Sequence, residues 1–217
     1  MKIRQGDRDI MVIGHRGTVT HAPENTMYAF HAAYEMSADW IETDVKVTAD
    51  GAFVLIHDEM VERTTNGTGT VSELSLPYIS GLDTGSWFDP SFRDARIPEL
   101  VELLSWSKEH SGVCLHLPST QEMSLVDTYR ICQLVTENCL LEKTLVMSSD
   151  YLLVKEINKA FPRATTGLLY QKSVDRKFQE GRQRGFRLSP SCPFHGKQAN
   201  HQPGARSRRA CCCDGIA

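Results

Sequence analysis

Short apolar runs alternate in regular order with segments whose apolar residues recur at helical spacing, and no other feature of the chain constrains its fold as much. Apolar runs bounded by turn residues and separated by helix-length patterns are the signature of repeated βα units around a parallel sheet. Seven strands are predicted on this basis, at residues 11–13, 40–47, 53–56, 113–117, 144–147, 165–169 and 185–188. Between the first two, Met27, Phe30 and Tyr34 lie on one helical face, after a Pro23-Glu24-Asn25-Thr26 segment in which Asn25 or Thr26 is suited to cap the helix. Further helices are expected over 98–109, 125–138 and 151–160. Residues 63–98, rich in Gly, Ser, Thr and Asp, are too long for an ordinary connection, and such insertions usually carry function or form a lid. With 217 residues and 41% hydrophobic content, the chain has enough material for one sizeable core.

The pattern stops after Ser191. From His195 to Ala217 there is no Phe, Tyr or Trp and one large aliphatic residue, Ile216, so this stretch cannot bury a strand and a helix. The expected division is therefore a barrel domain over 1–194 and a basic, disordered tail over 195–217. Charge divides in a similar way: residues 1–170 carry 14 Lys and Arg against 24 Asp and Glu, and residues 171–217 carry 10 against 3. An acidic body argues against nucleic acid as a partner, which needs a broad basic face. The N-terminal MKIRQGDRDI has no apolar core of a signal peptide, and no stretch reaches the length of a membrane span, so a cytoplasmic protein is expected. The seven cysteines, three of them consecutive at Cys211, Cys212 and Cys213, form neither a disulfide framework nor a paired zinc motif. Asp89, Asp94 and Glu99 are read as solvated charges, and Thr64 to Gly69 as a turn.

Along residues 40–47, side chains alternate between faces, so Trp40, Glu42, Asp44 and Lys46 point one way and Ile41, Thr43, Val45 and Val47 the other. An antiparallel edge strand with a solvated polar face would show the same alternation. In a parallel barrel, however, the charged face looks inward, and two carboxylates there repel unless a cation lies between them. Adjacent strands favour the second reading. The first ends in Gly14-His15-Arg16-Gly17 and the third in His57-Asp58. Polar groups at core-facing strand ends are costly unless they serve a site.

Together, Gly14-His15-Arg16-Gly17, Pro23-Glu24-Asn25-Thr26, Ala29-Phe30, Ile41-Glu42-Thr43-Asp44-Val45, Thr48-Ala49-Asp50-Gly51, and His57-Asp58 before Arg63-Thr64-Thr65 resemble the glycerophosphodiester phosphodiesterase family. The resemblance implies a (β/α)8 TIM barrel of phosphodiesterase type, here lacking its eighth strand and helix because the C-terminal stretch diverges. It implies metal-dependent hydrolysis of a small-molecule glycerophosphodiester to glycerol phosphate and an alcohol. By the same resemblance Glu42 and Asp44 would hold a divalent cation, magnesium or calcium. His15 and His57 would be the general acid and base, and Arg16 would hold the phosphate.

This chain departs from the family pattern at two places. His116 stands where the family has a further carboxylate ligand, and Pro118 stands where it has a lysine. An imidazole nitrogen suits transition metals better than magnesium or calcium, and His116 is also suited simply to fill the barrel. Two other readings stay open: a catalytically impaired barrel serving as a binding or regulatory module, and a lipid phosphodiesterase of lysophospholipase D type. Neither oligomeric state nor the alcohol group of the substrate is legible.

Overall fold

The computed structural model describes residues 11–169, together with the strand pairs at 4–5, 8–9 and 187–188. The expectations for the tail over 195–217 lie outside the described residues. A short antiparallel pair, β1 (Arg4–Gln5) and β2 (Arg8–Asp9), precedes the main sheet. Strand β3 (Ile13–Gly14) then leads into α1 (Met27–Glu35), and β4 (Trp40–Val47) follows. After β5 (Phe53–Leu55) come the short α2 (Leu76–Ser80) and α3 (Leu100–Ser107). The chain continues as β6 (Gly112–His116), α4 (Leu125–Glu137), β7 (Thr144–Ser148), α5 (Tyr151–Ala160), β8 (Thr165–Leu168) and β9 (Arg187–Leu188).

Strands β3, β4, β6, β7 and β8 pair in parallel in that order. Helices α1, α3, α4 and α5 each lie in the connection between two neighbouring parallel strands, as the alternating pattern predicts. Two strands differ from expectation. Residues 53–55 do not form a third parallel barrel strand, for β5 pairs antiparallel with β4, Val45 opposite Leu55 and Val47 opposite Phe53. The reason is connection length. Only residues 48–52 separate the two strands, and a parallel crossover needs a dozen or more. At the other end, β9 pairs antiparallel with β8 and so adds no parallel unit.

Helix starts follow local chemistry. Thr26 caps α1 by accepting the Ala29 N–H at 3.2 Å, Ser124 caps α4, and the Asp150 carboxylate caps α5 through Leu152 N–H at 2.8 Å. Side chains on the outer face of the sheet, Ile41, Val45, Val113, Leu115 and Val146, pack with Phe30, Leu103, Ile131 and Ile157 of the helices in the principal core. The inner face is a smaller cluster of Trp40, Cys114, Leu145 and Met147. Gly112 is required there, because a Cβ would lie 2.4 Å from the Trp40 indole.

The insertion after β5 has a core of its own, in which Val54 and Ile56 meet Val61, Val71, Ile79, Leu82 and Ile97. It is a packed subregion. Among the described residues, no helix is long and apolar enough to cross a membrane.

Candidate active site

The register of β4 and β6 places Glu42 opposite Cys114 and Asp44 opposite His116, on the face that also carries Trp40. Glu42 and Asp44 are 7% and 4% exposed, so the strand is no edge with a solvated polar face. The carboxylates sit directly above an apolar cluster. Burial, and then the neighbouring charge of Asp44, push Glu42 up to about 7, against the lowering effect of the Arg16 N–H. Burial alone would raise Asp44 as well, but hydrogen bonds from His116 and Asn25 and the charge of Arg16 bring it below the usual carboxylate range.

His116 Nδ1 lies 2.9 Å from Asp44 Oδ1. Atoms of Glu42, Asp44 and His116 that could serve as ligands all lie within 4.8 Å of one another. Two carboxylates and an imidazole converging at one strand-end register form a donor set that fits a divalent cation.

The turn after β3 brings His15 and Arg16 over this triad. Arg16 and Gly17 both adopt left-handed backbone, φ 51° and 83°. At Gly17 a Cβ would lie 2.6 Å from the backbone of Ala29, so only glycine permits α1 to pack against the turn. The Arg16 N–H donates to Glu42 Oε2 at 2.9 Å, and Asn25 N–H donates to the Arg16 carbonyl at 3.1 Å. His15 Nε2 lies 3.8 Å from Glu42 Oε2, and the ring is exposed. Burial of part of its surface and the adjacent Arg16 charge lower its pKa. Arg16 Nε lies 3.2 Å from Asp44 Oδ2 as an ion pair, yet it is buried and lacks a hydrogen bond of proper geometry.

His57 and Asp58 follow the antiparallel β5, so His57 reaches the site from the insertion and not from the end of a parallel strand. A cleft of about 550 Å³ has Asp44, Lys46, His57, His116, Pro118 and Glu122 in its lining. Lys46 is paired to Glu122 at 3.0 Å in that wall. The structure therefore gathers all six residues singled out in the sequence: Asp44, His57 and His116 share the cleft, and His15, Arg16 and Glu42 adjoin it through the contacts above.

Sequence reasoning missed the polar residues that hold these in place. Asn25 is no helix cap. It stands at φ 54°, donates to Asp44 Oδ2 at 3.1 Å and accepts from Thr43 Oγ1 at 2.7 Å. Glu24 accepts from both Arg16 Nη1 at 2.9 Å and Arg63 Nη2 at 2.7 Å. The overlooked signal was that Pro23-Glu24-Asn25-Thr26 carries two more polar groups than a cap requires.

Comparison with known proteins agrees with this geometry. A family model described as the glycerophosphoryl diester phosphodiesterase family matches residues 15–162. A glycerophosphodiester phosphodiesterase of Caldanaerobacter subterraneus subsp. tengcongensis is 38% identical over 170 residues, a match covering 74% of this chain and 67% of that protein. The crystal structure of a glycerophosphodiester phosphodiesterase from Agrobacterium tumefaciens superposes with a TM-score of 0.66 at 33% identity, over 72% of this chain and 65% of that one. An Oleispira antarctica phosphodiesterase in complex with the product sn-glycerol-3-phosphate superposes with a TM-score of 0.69 at 27% identity, over 79% and 70%. The chain spans about two thirds of the length of two of the curated relatives it matches and less than half of the length of others. The expected fold class stands: an α/β sheet of TIM-barrel type, of which the described residues form a part of the barrel. The chain belongs to the glycerophosphoryl diester phosphodiesterase family.

Proposed function

We propose that this chain hydrolyses glycerophosphodiesters to glycerol phosphate and an alcohol with the help of a divalent cation. The observation that carries the reading is the convergence of Glu42, Asp44 and His116 within 4.8 Å beneath His15 and Arg16. Glu42, Asp44 and His116 would hold the cation, magnesium or calcium, with a transition ion as the alternative that His116 suggests. When bound, the cation offsets charge on the phosphoryl oxygens. A relative solved with sn-glycerol-3-phosphate as its product supports glycerol phosphate as the product class.

The remaining work falls to the chain's own side chains. Arg16, set over the carboxylates by the turn after β3, binds a phosphoryl oxygen and helps neutralise the charge that builds there. Of His15 and His57, one takes the proton of the attacking hydroxyl as the new P–O bond forms, and the other donates a proton to the departing alkoxide. His57 is prepared for such a role because its Nδ1 faces Asp58 Oδ1 at 2.6 Å. An ionised carboxylate only accepts, so Nδ1 carries a hydrogen, and in the neutral ring Nε2 then has the free lone pair. The division into a barrel over 1–194 and a tail over 195–217 is likewise proposed, on composition.

The test is product release from glycerophosphocholine, glycerophosphoethanolamine and lysophosphatidylcholine, with magnesium, calcium or chelator. Chelator-sensitive release from the first two supports the proposal. Release from lysophosphatidylcholine alone would reassign the substrate class, and no release from any would mark the chain as a binding module.

A further inference from the structure

Arg63 touches none of the proposed metal ligands, yet its guanidinium ties together two parts of the site. Toward one side Arg63 Nε donates to Asp58 Oδ2, and Nη2 donates to Asp58 Oδ1 at 3.1 Å. Toward the other, Nη1 and Nη2 donate to the two oxygens of Glu24 at 3.0 and 2.7 Å. Both carboxylates are thus held two-pronged by one planar group, which a lysine ammonium cannot do. Each has one further partner: Asp58 Oδ1 takes His57 Nδ1 at 2.6 Å, and Glu24 Oε1 takes Arg16 Nη1 at 2.9 Å. The result is an unbroken ladder of hydrogen bonds and ion pairs, His57, Asp58, Arg63, Glu24, Arg16, Asp44, running from the insertion to the strand-end carboxylates.

As a source of stability the ladder's five permanent charges count for little, since the Arg63 side chain is 45% exposed and solvated ion pairs are weak. Its consequence is orientational. Without Arg63, Asp58 at 31% exposure is free to turn to water and release the imidazole. With it, the carboxylate is fixed in the plane that receives Nδ1–H. The Arg63 bonds also hold Asp58 down to about 2, so it remains an acceptor across the working range.

We propose that Arg63 is a positioning residue of the acid/base site, setting the tautomer and direction of His57 through Asp58. This rests on the reading of His57 as acid or base. The test uses the full chain with magnesium and glycerophosphocholine, comparing wild type, R63K, R63Q, D58N, R63K/D58N and H57A. R63K is expected to lower kcat by about ten- to a hundredfold with KM within about twofold, because it disturbs geometry and not substrate contact. In the D58N background the same change should cost less than about threefold, since the route through Asp58 is already lost. Nitrogen-15 spectra of metal-free protein at about pH 8.5, where imidazole is neutral, should show His57 as the Nδ1–H form in wild type and a tautomer mixture in R63K and R63Q. Those spectra need no turnover. Multiplicative losses in R63K/D58N, or an unaltered His57 tautomer in both Arg63 variants, would overturn the proposal. A fully active H57A would instead overturn the assignment of His57, and that outcome is separately visible.

Discussion

His15 and His57 reach the site by different routes, one from a strained turn after a parallel strand and the other from an insertion after an antiparallel one. Loss of either as acid or base should lower turnover by roughly two to four orders of magnitude, so H15A and H57A are each expected to fall in that range in steady-state kinetics. Wild-type turnover in both would remove them from the chemistry. At this scale the sequence was informative because ionisable groups at successive predicted strand ends are conspicuous. Glu24, Asn25 and Arg63 were not, since their roles lie in bonds such as Asn25 to Asp44, separated by 19 residues, and Arg63 to Glu24, separated by 39. Polar partners so far apart in sequence leave no periodic trace. His116 was ambiguous between ligand and filler, and its 2.9 Å approach to Asp44 puts it in the donor cluster. His116→Glu is accordingly expected to raise magnesium and calcium affinity in calorimetry, by adding a charged oxygen to a hard-cation site. Unchanged affinity would put residue 116 outside the coordination shell.

Among the elements, β4 shows what periodicity determines and what it leaves open. Alternation along Trp40–Val47 assigned each side chain to its face, and the two clusters keep that division, Ile41 and Val45 outward, Trp40 inward. Periodicity carries no information on strand direction, which is why residues 53–55 were read as parallel. The five-residue link at 48–52 held the answer, and in it Thr48 N–H donates to the Ala52 carbonyl at 2.9 Å while Gly51 stands at φ 80°. Helix boundaries were legible to within two or three residues where a cap and an apolar stripe coincided, as for α5 from Asp150. The inner layer offers a test of β6 against β4. Gly112→Ala places a methyl group against the Trp40 indole, where the free space ends at 2.4 Å. Overpacking of this kind costs about 1–3 kcal/mol, and it is expected as a lower denaturation midpoint with an unchanged slope. A neutral result would show that the indole moves aside without cost.

For the whole molecule, the buried carboxylate pair links stability, pH and metal. Glu42 stands at about 7 in the folded chain against an ordinary 4.5, so between those values the folded state holds a proton that the unfolded state has released. The sign follows: this group's contribution is full below about 4.5 and is lost as pH rises toward 7, by at most about 3 kcal/mol. Asp44 and Asp58 are shifted the other way, and their contribution is present above the ordinary 3.8 and lost only as pH falls below it. His15, lowered from 6.5, opposes Glu42 within the same window. The comparison that isolates Glu42 is therefore a difference between wild type and Glu42→Gln, whose neutral amide keeps the size and cannot titrate. With chelator present, the wild-type melting temperature should decline relative to E42Q between about pH 5 and pH 7.5. A cation on Glu42 displaces that proton, so the rise in melting temperature on adding magnesium should be greater at the upper end of the window and absent from E42Q at either end. Parallel metal-free melting curves for the two proteins across this range would show that Glu42 does not hold the extra proton. An undiminished magnesium response in E42Q would show that the cation is held elsewhere.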